Sequence, residues 1–196
     1  MSADDASSHS VLRLPPRRRF LMGAGQAGLS AVAVALLAGC ESMAAHTGAP
    51  AAGPDDVGIL NTALGLEHEA IAAYQLGAES GLLEKPVLDL AVTFQDQHKA
   101  HRDLLADTVR KLGGAPVEAK PSYQFAVSGL KSQADVLGFA ADLEQAAVSA
   151  YLGAVPQFED RGLAKAAASI LGDEAMHWAT LRNALGLPPV PDAFVA

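Results

Sequence analysis

The 196-residue chain is poor in several residue classes, and each shortage excludes something. It has one cysteine, Cys40, so no disulfide can form within the chain. Aromatic residues make up only 5 % of it, while Ala, Leu and Val are plentiful, which favours helices over a sheet. Basic residues are few, 14 against 22 acidic ones, giving a formal net charge of −8. Removing the residues before Cys40 takes away four Arg and two Asp and leaves −10. A surface of that sign argues against nucleic acid and against anionic membrane as partners, and its plainest use is solubility. Residues 56–187 contain no G-x-G-x-x-G, no phosphate-binding loop and no nucleophile elbow. No apolar run is long enough for a confident membrane span.

What is present begins with an address. Arg17 and Arg18 open an R-R-x-F-L stretch, followed by an Ala- and Gly-rich apolar segment from about Gly23 to Ala38. The segment ends in Leu37-Ala38-Gly39-Cys40, which resembles a bacterial lipobox. Residues 1–39 are therefore read as a twin-arginine lipoprotein signal peptide, with Cys40 as the lipidation site. This would anchor the protein at the bacterial cell envelope, facing the periplasm or the exterior. An ordinary signal peptide or an uncleaved anchor is the alternative. Residues 40–55 are small and punctuated by Pro and Gly, a tether; residues 188–196 form a tail.

Between them, residues 56–187 carry four segments of helical period, about Asp56–Ser80, Pro86–Leu112, Ser132–Gln157 and Leu163–Leu185. Short links join the first pair and the second pair, so each pair predicts an antiparallel hairpin. The middle link, of about 18 residues, is long enough to cross a bundle from end to end. The predicted fold is all-α: a four-helix bundle of two antiparallel hairpins joined by a long crossover.

The two hairpins repeat each other. Leu66-Glu67 through Tyr74 matches Leu143-Glu144 through Tyr151 as L-E-x-x-A-[IV]-x-A-Y. His98-Lys99-Ala100-His101 then matches Glu174-Ala175-Met176-His177. The expected inward seams are Leu60, Leu64, Glu67, Ile71, Tyr74 and Ala78; Val87, Leu90, Phe94, His98, His101, Leu105 and Leu112; Leu137, Ala140, Glu144, Ala147 and Tyr151; and Ile170, Glu174, His177, Leu181 and Leu185. Each apolar stripe is interrupted at mid-height by ionisable groups. Three Glu and three neutral His form an acceptor-rich layer without a Lys or Arg of its own, which a bound divalent cation would compensate. A buried network of protonated Glu and His is the alternative.

This arrangement resembles the ferritin-like superfamily, and most of all the exported bacterial ferritin-like domain proteins. The resemblance implies a di-metal carboxylate site with Glu67 and Glu144 as terminal ligands, Glu174 bridging, and His101 and His177 on one metal each. It implies iron, as a di-iron pair, or alternatively Mn or Zn, and a redox reaction with O2, peroxide or Fe2+. A homo-oligomer is left open. One position departs from the family pattern: the second bridging Glu falls on His98. A neutral imidazole donates to one metal only, which leaves a lopsided pair, a single metal, or a His98 turned aside. Tyr74 and Tyr151 lie two turns, about 10 Å, from the Glu of their own helix and read as core packing rather than a radical relay. His68 is a candidate neighbour of the metal ligands, and Trp178 covers either the site or a surface. A metal-sequestering or partner-binding lipoprotein with a structural metal is the competing function.

Overall fold

The computed structural model describes residues 54–194. Arg17, Arg18, Cys40 and the start of the tether lie outside that range. The described residues form four long helices: α1 (Pro54–Glu79), α2 (Lys85–Lys111), α3 (Gln133–Ala154) and α4 (Arg161–Ala184). Two single 3-10 turns, Val127–Gly129 and Val155–Gln157, complete the regular structure, and no strand is present among the described residues. No described helix is long and apolar enough to cross a membrane.

The helix ends follow local chemistry. Pro86 opens the first turn of α2, where a missing N–H costs nothing. Ser132 caps α3 by accepting from the Asp135 backbone N–H. Asp160 caps α4 by accepting from Gly162 and Leu163, so α4 starts two residues before the expected Leu163. The α2 terminus needs its paired glycines. Gly113 takes φ +80°, and a Cβ on Gly114 would lie 2.7 Å from the Val57 side chain. Leu112, expected to point inward, is exposed because α2 has ended there; Val109 fills the core position instead.

The α1–α2 and α3–α4 pairs are closely packed hairpins, and α1 also packs on α3. Side chains fix which ends meet. Asp56, in the first turn of α1, is fully buried and accepts from the backbone N–H groups of Glu159 (2.8 Å) and Asp160 (3.1 Å) in the α3–α4 turn. At the opposite end the Glu84 N–H donates to Gln133 at the start of α3 (2.8 Å). Helices α1 and α3 therefore run antiparallel. The crossover climbs along α1, where Asn61 donates to the Ala115 carbonyl and accepts from the Val117 N–H, and His68 Nε2 meets the Val117 carbonyl at 3.2 Å. Seven residues separate Asn61 from His68, so this contact covers about 10 Å of helix. Further on, Phe125 packs edge-on against Phe139 of α3.

The core is split in two. One apolar cluster holds Leu60, Leu64, Leu105, Val109, Tyr151 and Ile170; the other holds Tyr74, Phe94, Leu137, Ala141, Trp178 and Leu181. Between them lies a polar layer.

Candidate metal centre

All six residues singled out by the repeat converge in this layer, one from each of α1 and α3 and two from each of α2 and α4. Glu67, His98, Glu144, Glu174 and His177 are each at most 2 % exposed. His101 is 13 % exposed and Asp173 beside it 22 %, so the one edge of the layer nearest solvent is where these two meet. Two quartets can be drawn, Glu67–His98–His101–Glu174 and His98–Glu144–Glu174–His177. In each, one donor atom per residue lies within 4.8 Å of the others. The quartets share His98 and Glu174, and both hairpins contribute to each.

His98 does not turn aside. Its Nδ1 is 2.9 Å from Glu67 Oε2 and its Nε2 is 3.2 Å from Glu144 Oε1, so the ring stands between the two terminal carboxylates. Each nitrogen faces one carboxylate at hydrogen-bond distance, so the ring links Glu67 on α1 to Glu144 on α3. Burial alone would lower its pKa, but the hydrogen bonds to Glu144 and Glu67 outweigh burial and push it up to about 10. His101 rises to about 12 and His177 to about 9 against the same effect, through contacts with Asp173, Glu174, Glu67 and Glu144. For Glu67, burial acts upward, yet hydrogen bonds from His101 and His98 bring it down to about 2. Glu144 is lowered likewise by His177 and His98. Glu174 differs: burial dominates and raises it.

Among the described residues, four buried atoms make no aligned hydrogen bond: His101 Nδ1, His177 Nδ1, Glu174 Oε1 and Glu174 Oε2, although each nitrogen lies 3.1 or 3.3 Å from a Glu174 oxygen. All belong to the quartets. The outer nitrogens of the same rings are occupied. His101 Nε2 faces Asp173 Oδ2 at 3.2 Å, and His177 Nε2 faces Gln97 Oε1 at 2.7 Å and Asp173 at 3.5 Å. When those outer nitrogens carry the proton, both Nδ1 lone pairs point at Glu174. Acceptors gathered out of water around one carboxylate fit a cation in their midst.

The tyrosines do more than pack. The Tyr74 hydroxyl on α1 donates to Glu144 on α3, and the Tyr151 hydroxyl on α3 donates to Glu67 on α1 (2.6 Å). Because the helices are antiparallel, the residue two turns past one Glu lies beside the other Glu. Burial, together with the facing carboxylates, raises both phenols and holds them protonated as donors. Phe94 stacks on the His177 ring with centroids 4.0 Å apart. His68 is taken up by the crossover rather than by the layer. Trp178 is buried above the layer, with Arg182 over its ring at 5.3 Å. Asp96 and Asp103 pair with Lys99 and Arg102 on the outer face of α2. Asp173 and Gln97 were not legible as site residues. Asp173 directly precedes Glu174 and stands one helical turn before His177, which is the only signal the sequence carried.

No curated protein matches the chain. Among solved structures, a conserved hypothetical protein from Mycobacterium tuberculosis is 26 % identical, with a TM-score of 0.62 over 71 % of this chain and 96 % of that one. BfrA from M. tuberculosis is 17 % identical, with a TM-score of 0.59 over 68 % and 84 %. A structure described as ferritin like, diiron-carboxylate proteins, from Bacillus anthracis, is 19 % identical, with a TM-score of 0.56 over 67 % and 95 %. The last two likenesses are too distant in sequence to speak for more than the fold. The model of the ferritin-like domain family matches residues 55–187, the whole bundle. The chain belongs to the ferritin-like domain family.

Proposed function

We propose that this protein is an exported, lipid-anchored metal protein whose polar layer binds iron, or alternatively manganese, and reacts with O2, peroxide or Fe2+. The observation that carries the metal reading is the pair of buried quartets, in which His101 Nδ1, His177 Nδ1 and both Glu174 oxygens face one another without an aligned hydrogen bond. Glu and His donors suit Fe and Mn and also accept Zn. When bound, the metal supplies the electron transfer.

The protein's part is positional. Glu67 and His101 would hold one ion, Glu144 and His177 the other, with Glu174 between them. Asp173 holds the outer proton of His101 and Gln97 that of His177, which keeps the inner lone pairs directed at the ions. Tyr151 and Tyr74 orient Glu67 and Glu144. The two apolar clusters keep water from the layer above and below, and leave the His101–Asp173 edge as the path for small reactants. The cavity near the α1–α2 turn is apolar, lined by Ala73, Val87, Leu90, Leu137 and their neighbours, and so is unsuited to a polar organic substrate.

Elemental analysis of the chain purified in air tests the metal reading. One to two Fe or Mn per chain, lost in a Glu174→Ala variant, is the expected result; no metal and no change of melting on adding Fe2+ would sink it. Arg17-Arg18 and the L-A-G-C motif support the envelope reading. Mass spectrometry should find a diacylglycerol adduct on Cys40, and Cys40→Ser should move the protein to the soluble fraction.

A second reading has one observation in its favour. His98 bonds to both terminal carboxylates, a proton network that holds without metal. On that reading the protein is a non-catalytic envelope module, and melting would not respond to metal.

A further inference from the structure

The two ring nitrogens of His98 face different carboxylates, Nδ1 towards Glu67 and Nε2 towards Glu144. Nδ1 lies 2.9 Å from Glu67 Oε2 and 3.6 Å from Glu174 Oε1. His101 Nδ1 closes that group at 3.7 Å from Glu67 and 3.1 Å from Glu174. On the other side Nε2 lies 3.2 Å from Glu144 Oε1, and His177 Nδ1 is 3.3 Å from both Glu144 Oε1 and Glu174 Oε2. Each group therefore has two nitrogens and two oxygens, and each takes a different nitrogen of His98 and a different oxygen of Glu174. Donors about 2.0 Å from one four-coordinate dication stand roughly 3.3 Å apart, and the separations of 2.9 to 3.7 Å lie around that value.

We propose that His98 bridges two divalent ions as an imidazolate, Nδ1 to one and Nε2 to the other, in the place where a carboxylate would otherwise stand. The proposal rests on the reading that the layer holds metal and names how it does so. The step balances: both N–H bonds of His98 break, two metal–nitrogen bonds form, and the protons leave to solvent. Charge balances as well. Three carboxylates and one imidazolate carry −4, the charge that two dications neutralise, whereas a neutral ring would leave an uncompensated +1 in a buried layer. Two N2O2 sites of this shape suit first-row dications that accept four ligands, Zn2+ and Co2+ as well as Fe2+.

Cobalt tests this, because four-coordinate Co2+ absorbs visible light strongly, six-coordinate Co2+ weakly, and a shared ring couples the two spins. The metal-stripped full chain is titrated with Co2+ and followed by elemental analysis, visible absorption and electron paramagnetic resonance. The expected result is two Co2+ per chain, strong visible absorption, and a resonance signal per cobalt well below that of isolated Co2+. His98→Gln, which cannot bridge, should bind its second Co2+ at least about tenfold more weakly and recover the full signal per cobalt. His98→Glu restores a carboxylate bridge and should bind two Co2+, which shows that the layer tolerates change at this position. One Co2+ in the wild type, two uncoupled ones, or a His98→Gln variant indistinguishable from it would overturn the bridge and leave metal binding standing. No cobalt bound by either the wild type or His98→Glu would overturn the metal reading itself.

Discussion

Tyr151→Phe removes one oxygen atom and leaves the rest of the molecule its shape. The ring is 2 % exposed and packs in the cluster with Leu60 and Ile170, so the phenyl group stays where it is. The loss falls on Glu67 Oε1, whose donor is the Tyr151 hydroxyl at 2.6 Å; the other oxygen of that carboxylate keeps His98 and His101. A buried hydrogen bond to an ionised acceptor contributes about 1.5–3 kcal/mol, and the oxygen left behind has no water to turn to. In a folded domain of this size about 1 kcal/mol corresponds to roughly 3–5 °C, so the metal-free variant should melt roughly 5–15 °C below the wild type. Circular dichroism at 222 nm follows the transition. A double-mutant cycle with Glu67→Gln separates the hydrogen bond from packing and should give a coupling energy of about 1 kcal/mol or more. Melting within about 2 °C of the wild type, with no coupling, would refute the claim that the hydroxyl holds the carboxylate.

Asp56→Ala strips the α3–α4 turn of its two acceptors in a fully buried place and should cost about 2–3 kcal/mol in urea denaturation, with Asp56→Asn costing less. Asp173→Asn should keep the fold but weaken metal binding by about tenfold to a hundredfold in a chelator competition, because the His101 ring loses the carboxylate that orients it. Without metal, the domain should be most stable between about pH 5 and 6.5. The raised values of His98, His101 and His177 contribute fully below the ordinary histidine value and are lost as pH climbs towards about 9 and beyond. The depressed Glu67 and Glu144 contribute above the ordinary carboxylate value and are lost as pH falls towards about 2. A melting temperature that stays level from pH 6 to pH 9 would contradict this. Metal affinity should rise over that same interval, since the ions displace the ring protons.

The bundle was legible because its apolar period and its interruptions agree. Glu67, Glu144, Glu174 and His177 stand at core positions of stripes that continue on either side of them, and chain repetition put them at one height. What the sequence could not show was contact between helices. Along the chain Tyr74 lies nearest Glu67, but its partner is Glu144, seventy residues away. The antiparallel pairing of α1 and α3, once known, makes that exchange obligatory. His68 escaped for the same reason: its partner, Val117, lies on the crossover, whose path has no periodic signal. His98 was legible in place but not in posture. Which groups its two nitrogens meet depends on the inter-helix distances.

The exchanged tyrosine–glutamate bonds have the form of a self-complementary interface: what α1 gives to α3, α3 gives to α1. Two separate copies of a single hairpin, meeting about a twofold axis, would make the same pair of bonds. Such a dimer would be bound by its symmetry to carry the same residue on both sides, two histidines or two glutamates where this protein has His98 facing Glu174. The strand of chain from Leu112 to Ser132 lifts that restriction. By joining the halves covalently it lets one of them mutate alone, and so turns a symmetric cradle into one whose two sides can be tuned independently.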